Sequence, residues 1–193
     1  MGLPLIAVLA AEDLDRVRPE IMMSARERAI LVTLLREIGA VTVVEIGINE
    51  GRCAEILLKN VPSICRYIGV DVEVGYVTSL PTQRAEVPGV PGQFALGDPR
   101  LELIIRLRGS LDLVPADLPV CDAMLIDGDH GRIAVEWDSL LARARVRPGG
   151  LILWHDYYFA NPDVDVREVL DRLAETGMPI RHIEGTSLAI LRR

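Results

Sequence analysis

The sequence predicts a doubly wound α/β domain, and three observations carry that reading. Short β-branched apolar runs alternate with stretches of helical periodicity along the chain. Polar residues and glycines follow several of those runs directly, as they do where strands end at a ligand crevice. The chain has 193 residues, half of them apolar and a quarter charged, which suits one ordinary domain with a real core. No repeat, low-complexity segment or linker divides it, so residues 1–193 are read as one domain in which 1–40 form a helical lead-in.

Leu14 to Gly39 reads as helical with a break near Pro19. Ser24 and Glu27 have capping-box spacing, Ile30, Leu31, Leu34, Leu35 and Ile38 recur at helical intervals, and Gly39 is the stop. Val41 to Ile46 then has the unbroken apolar character of a buried parallel strand. A helix follows at Arg52 to Lys59, a second strand at Tyr67 to Val70 and a third at Leu103 to Leu107. Between those last two, Thr78 to Pro99 holds Pro81, Pro88, Pro91 and Pro99; no regular helix can run through them. The segment is read as a loop that shapes a binding site or a subunit contact. Ala123 to Ile126 is the fourth strand and Ile133 to Val146 a helix. Leu151 to Trp154, after the turn Pro148-Gly149-Gly150, is the fifth strand. Val166 to Thr176 is helical, and Ile180 to Ile183 with Leu188 to Leu191 forms a hairpin across Glu184-Gly185-Thr186. The sum is a Rossmann-like sheet of seven strands, mostly parallel, with a C-terminal antiparallel hairpin and helices on both faces.

Charge and composition remove several function classes. The net charge is −7 and the isoelectric point about 5.0, which leaves no electrostatic footprint for nucleic acid or an anionic membrane. Arg143, Arg145 and Arg147 are read as solvated helix-face residues. Cys53, Cys65 and Cys121 match no zinc or disulfide spacing and are read as small buried hydrophobes in a reducing compartment. Leu3 to Ala11 is apolar but too short to span a bilayer and lacks a basic leader, so the expected location is cytoplasmic.

The chemistry gathers at the strand ends. After the first strand comes Glu45-Ile46-Gly47-Ile48-Asn49-Glu50-Gly51. Its glycines allow a sharp turn and close backbone approach to a ligand, and the next helix offers its free N–H groups there. The third glycine of the dinucleotide fingerprint is missing, which disfavours a nicotinamide oxidoreductase. An acid two residues before the first glycine suits a ligand with a cationic amino-acid end. Asp71 ends the second strand, where a carboxylate can accept ribose hydroxyls. Gly109 and Ser110 follow the third strand, where an adenine edge would lie. Asp127, Asp129 and His130 follow the fourth strand, and His155-Asp156 the fifth.

With these residues in place, the sequence resembles the class I S-adenosylmethionine-dependent methyltransferases over most of its length. Ile21-Met22-Met23-Ser24 through Val43-Val44-Glu45-Ile46-Gly47 resembles the entry to the cation-dependent O-methyltransferases, the catechol and caffeoyl-coenzyme A types. Ile126-Asp127-Gly128-Asp129-His130, Arg147-Pro148-Gly149-Gly150-Leu151-Ile152 and His155-Asp156 are similar to a bacterial set. That set comprises the macrolide-sugar O-methyltransferases and the cephalosporin hydroxylase-like proteins. The resemblance implies S-adenosylmethionine as methyl donor, with Glu45, Gly47 and Gly51 at its methionine end and Asn49 close by. Asp71 would take the ribose, Gly109 and Ser110 the adenine, and Asp127 would border the donor. It also implies Asp127 and Asp156 as carboxylates for a divalent cation, Mg2+, and His130 as general base where the catechol-type enzymes carry a lysine.

The sequence departs from the cation-dependent pattern at Tyr157, where an Asn or Asp is usual; Asp129 or His155 could complete the cation's shell instead. Trp154, Tyr157, Tyr158 and Phe159 could wall an acceptor pocket or pack beneath a loop, whereas Trp137 reads as core. The expected activity is methyl transfer to a hydroxyl of a small molecule, with no nucleic-acid or membrane partner and a homodimer as the default assembly. The alternatives are a non-catalytic binder of the same ligand and a hydroxylase-like enzyme using His130, His155 and Asp156 as an iron triad.

Overall fold

The structure is a computed structural model that describes residues 2–8, 23–78, 80–158 and 164–193, with the side chain of residue 82 left aside. The stretch from Leu14 to Met22 and Phe159 lie outside the described residues. The elements are β1 (Leu5–Ile6), α1 (Ala25–Glu37), β2 (Thr42–Ile46), α2 (Arg52–Asn60), β3 (Arg66–Val72) and β4 (Leu101–Arg106), then β5 (Cys121–Ile126), α3 (Arg132–Arg145), β6 (Val146–Trp154), α4 (Val166–Glu175), β7 (Arg181–Ile183) and β8 (Ala189–Arg192).

They build one eight-stranded sheet in the order β1-β7-β8-β6-β5-β2-β3-β4. All neighbours are parallel except β8, which runs antiparallel to both β6 and β7. The seven expected strands and the hairpin are present. The eighth, β1, is a two-residue edge strand paired through Leu5 and Ile6 to His182 and Ile183. Two residues carry no periodicity, so no sequence pattern could announce it. As expected, Thr78 to Pro99 forms no α-helix in its described part, only a short 3-10 turn at Pro81–Gln83 and a chain of turns.

Strand alternation sorts the core into two layers. Val43, Tyr67, Ala123, Leu125, Leu151 and Leu153 pack against α1 and α2. Val44, Ile46, Ile68, Val70, Met124, Ile126, Ile152 and Trp154 pack against α3 and α4. The central strands bury both faces, which is why they read as unbroken apolar runs rather than as alternating ones. α1 begins with the capping box its sequence announces. The Glu27 N–H donates to Ser24 Oγ at 3.2 Å and the Ser24 N–H donates to Glu27 Oε2 at 2.7 Å. α3 lacks a side-chain cap of its own, and Asp165 Oδ2 accepts the Arg132 N–H across the fold instead.

The chain winds outward from the centre in two directions, through β3 and β4 on one side and β5 and β6 on the other. The reversal between β2 and β5 opens a crevice beyond their carboxyl ends, the usual ligand position in such sheets. No helix among the described residues is long and apolar enough to cross a membrane. Of the cysteines, Cys121 is buried and Cys53 half-buried, but Cys65 is exposed at the start of β3, contrary to expectation, because it precedes the strand's buried part. Arg147 also departs from expectation: it lies on β6 and pairs with Asp122.

Candidate active site

The loop after β2 is held by backbone contacts that only glycine permits. At Gly47 φ is +84°, and a Cβ there would fall 2.2 Å from the Asp127 carbonyl oxygen. The β2 and β5 ends are thereby pressed together, with the Asp127 N–H donating to the Ile46 carbonyl at 2.9 Å. Gly51, also left-handed, starts α2 and lies against Gly92, where a Cβ would meet backbone at 2.8 Å. Between them Asn49 donates its N–H to Asp71 Oδ2 at 2.6 Å, and the Val72 N–H donates to Asp71 Oδ1 at 2.7 Å. Each Asp71 oxygen is thus fixed by one backbone donor, and burial raises its carboxyl pKa.

A cavity of about 630 Å3 opens at this edge. Of the predicted site residues, it is lined by Gly47, Asn49, Asp71, Gly109, Ser110, Asp127, His130 and Asp156, together with Asp129 and His155. Glu45 and Gly51 do not line it. The Glu45 carboxylate is buried beneath the loop and accepts the Tyr67 hydroxyl at 2.8 Å; burial pushes its carboxyl up to about 8. Of the aromatic residues that could wall the pocket or pack beneath a loop, Trp154, Tyr157 and Tyr158 do not line the cavity, and Phe159 lies outside the described residues. Trp154 is core and donates its indole N–H to Ser139 Oγ at 3.0 Å. Tyr157 is buried between the Leu3 N–H, which it accepts, and Asp171, to which it donates. Tyr158 is exposed and stacks on His182. Alternation explains Trp154, which shares the α3 face with Ile152. Trp137, read as core, is only half-buried against the α3–α4 layer, and it donates to the Ser110 and Leu113 carbonyls at 3.2 Å, bracing the turn that carries Gly109.

The acids and imidazoles from β5 and β6 converge in the cavity. His155 Nδ1 lies 3.2 Å from both Asp127 Oδ1 and Asp156 Oδ2. His130 Nε2 lies 3.1 Å from Asp156 Oδ2 and 3.7 Å from Asp127 Oδ1. Asp156 adopts a left-handed backbone, φ +58°, which turns its carboxylate back toward Asp127. Burial would raise the Asp127 carboxyl, but the two imidazoles outweigh it and hold it down to about 2. The same attraction outweighs burial at both imidazoles: His130 rises, and His155 is held well above the ordinary histidine range. Asp127, His130 and Asp156 present ligand atoms within 4.8 Å of one another, a spacing that fits a divalent cation.

Three participants carried no sequence signal for this site. Glu27, read only as a capping residue, reaches the cavity from α1. Its Oε1 accepts the Ser187 N–H at 2.6 Å and its Oε2 lies 3.7 Å from His155 Nε2. Burial would raise this carboxyl, but the nearby His155 imidazole and hydrogen bonds from Ser187 and Ser24 hold it at about 2. Gln83 and Glu86 come from the proline-rich segment. Gln83 donates to the Gly128 carbonyl and accepts the His130 N–H, both at 3.0 Å. Asn49 Nδ2 donates to the Glu86 carbonyl at 3.0 Å, and the Gly92 N–H donates to the Asn49 carbonyl at 2.7 Å. The segment is therefore tied to both loops and forms one wall of the cavity.

Comparison with known proteins gives a matching result. A family model described as a methyltransferase domain matches residues 44–157. No curated protein sequence matches the chain. Among solved structures, the chain is similar to the O-methyltransferase TomG of Streptomyces achromogenes, involved in tomaymycin synthesis and solved with S-adenosylmethionine. That match has TM-score 0.60 and 19% identity, over 90% of this chain and 82% of that one. It is similar to an O-methyltransferase of Bacillus cereus solved with S-adenosylhomocysteine, TM-score 0.58, 18% identity, over 88% and 82%. The Podospora anserina methyltransferase PaMTH1, bound to S-adenosylhomocysteine, matches at TM-score 0.62 and 14% identity, over 88% and 79%. At these identities the likeness is one of fold.

Proposed function

The chain belongs to this methyltransferase-domain family, and we propose that it transfers the methyl group of S-adenosylmethionine to a hydroxyl oxygen of a small molecule. One observation carries the reading: a nucleoside-type cradle and an acid–imidazole cluster share a single cavity. In the cradle, the two fixed oxygens of Asp71 each keep a lone pair for a ribose hydroxyl, and the Gly109–Ser110 turn borders the adenine. Gly47 and Asn49 lie toward the methionine end. Glu45 acts from below, as the buried partner of Tyr67 that shapes the loop.

The sulfonium of the donor is already a strong electrophile, so the protein's share is to position the acceptor and remove its proton. His130 takes that proton. Its Nε2 has no aligned hydrogen bond, and Asp156 and Asp127 beside it stabilise the imidazolium that results. Gln83 holds the backbone of His130 in place. Asp127 and Asp156 are also the residues that would hold a divalent cation, whose chemistry there is to make a neighbouring hydroxyl more acidic.

The test follows label from methyl-labelled S-adenosylmethionine into a panel of sugars, catechols and natural-product alcohols. The expected outcome is labelled ether, with His130→Ala reducing turnover by about 10²–10⁴-fold while S-adenosylhomocysteine still binds. Label on nitrogen or sulfur, or full turnover in the variant, would contradict the assignment.

A further inference from the structure

We infer that Asp127, His155 and Asp156 form a mixed nitrogen–oxygen metal site that prefers a first-row transition ion to Mg2+, with Glu27 positioning the imidazole. The inference rests on the reading of Asp127 and Asp156 as the cation-binding pair and names the third ligand and the ion class.

The geometry singles out His155. Its Nδ1 is equidistant, at 3.2 Å, from one oxygen of each carboxylate. Ligand bonds of about 2.0–2.1 Å place neighbouring donors about 2.9 Å apart in an octahedron and about 3.3 Å apart in a tetrahedron. The three donor atoms therefore surround a cation after small shifts. His155 is 8% exposed, and its other nitrogen, Nε2, is buried without a hydrogen-bond partner. That nitrogen faces Glu27 Oε2 at 3.7 Å. A carboxylate behind the far nitrogen of a ligating histidine is the usual outer support of such sites, because it fixes the tautomer that leaves the near nitrogen free to bind. Glu27 is itself immobilised by Ser24 and the Ser187 N–H.

His130 also falls within the cluster, but it leans to Asp156, 3.1 Å against 3.7 Å to Asp127, and it rides on the loop held by Gln83. It stays outside the ligand set as the proton acceptor. The donor types then select the ion. Mg2+ favours an all-oxygen shell, whereas an imidazole favours the first-row transition ions, with affinity rising from Mn2+ to Cu2+ and falling back at Zn2+. The competing account makes His155 a permanent cation that only neutralises the two carboxylates.

The experiment titrates the metal-stripped 193-residue chain, saturated with S-adenosylhomocysteine, with MgCl2, MnCl2 or CoCl2 alone in a calorimeter. Co2+ is expected to bind at one site at least ~100-fold more tightly than Mg2+. Glu27→Gln should weaken Co2+ by about 10–100-fold. His155→Ala should weaken it further, and His130→Ala should change it little. Because a variant at a buried histidine can misfold, pulsed EPR of the unaltered Mn2+-loaded chain provides a second reading, and one directly bound imidazole nitrogen is expected. Equal affinity for Co2+ and Mg2+, no nitrogen coupling, or a His130→Ala loss as large as that of His155→Ala would overturn the assignment. Each of these leaves S-adenosylhomocysteine binding intact, whereas failure of the transfer reading would appear in the label-transfer assay, or as loss of that binding where the donor site itself is wrong.

Discussion

Two aspartates at opposite ends of β5 have opposite surroundings. Asp122, near its start, accepts the Val41 and Thr42 N–H groups on Oδ2, at 2.8 and 2.7 Å, and the Arg147 guanidinium on Oδ1. Every partner is fixed, and the carboxylate ties β2, β5 and β6 together. Burial would raise its carboxyl, but these donors hold it below the ordinary range. Asp127, just past the strand's other end, faces two imidazoles across an open cavity at 3.2 and 3.7 Å. The first is a closed ion pair that serves the fold. The second is held ready for a ligand. The same residue type on the same strand thus separates stability from function, and substitutions should separate them too.

The largest expected effect is at Asp127. Asp127→Asn should lower methyl-transfer turnover per folded molecule by about 10²–10⁴-fold. It should also cost stability in urea unfolding near neutral pH, because the imidazoles that hold its carboxyl at about 2 lose a charged partner. Asp122→Asn should cost about 1–3 kcal/mol in unfolding because backbone donors lose a charged acceptor, with turnover per folded molecule preserved. If turnover per folded molecule falls equally in both variants, the contrast fails.

A third aspartate sharpens it. Asp138 on α3 is fully buried, neither oxygen has an aligned hydrogen bond, and burial pushes its carboxyl up to about 7, with the Ser110 hydroxyl pulling the other way. Because the folded value lies above the unfolded one, its contribution is fully present below about pH 4 and is lost as pH rises through about 7. Asp138→Asn should therefore stabilise the protein at pH 8, by on the order of 1–2 kcal/mol, with the gain disappearing at pH 4 in parallel melts. A constant difference across that range would show that the carboxyl stays charged in the fold.

The smallest effect belongs to Gln83. Gln83→Ala should lower kcat about 3–10-fold, with little change in affinity for S-adenosylhomocysteine, since it only steadies the backbone of His130 and Gly128. A fall in that affinity as large as the fall in kcat would place the segment in the donor cradle instead.

Local physics was readable in the sequence wherever neighbours in the chain are neighbours in space. The Ser24–Glu27 box, the buried strands and the terminal hairpin all follow from spacing, and Asp71, Asp127, His130 and Asp156 follow from the rule that ligands sit beyond strand ends. Long-range partnerships were not readable. Glu27 is spent locally on its cap, and its second role depends on His155 and Ser187, far along the chain, meeting the start of α1. Glu45 shows how alternation could have helped: it shares the face of Val43, toward Cys53 and Tyr67, so its side chain turns under the loop rather than into the cavity. Gln83 and Glu86 lay in a segment whose prolines say only that no helix forms. A chain of turns has no period from which contacts can be inferred.

The most direct test of the central claim is calorimetric titration of the purified chain with S-adenosylhomocysteine, alongside Asp71→Ala. Micromolar binding at one site, weakened at least about 10-fold in the variant, is the predicted result. A folded chain that takes up no S-adenosylhomocysteine would contradict the account, and the cavity would then belong to a different ligand.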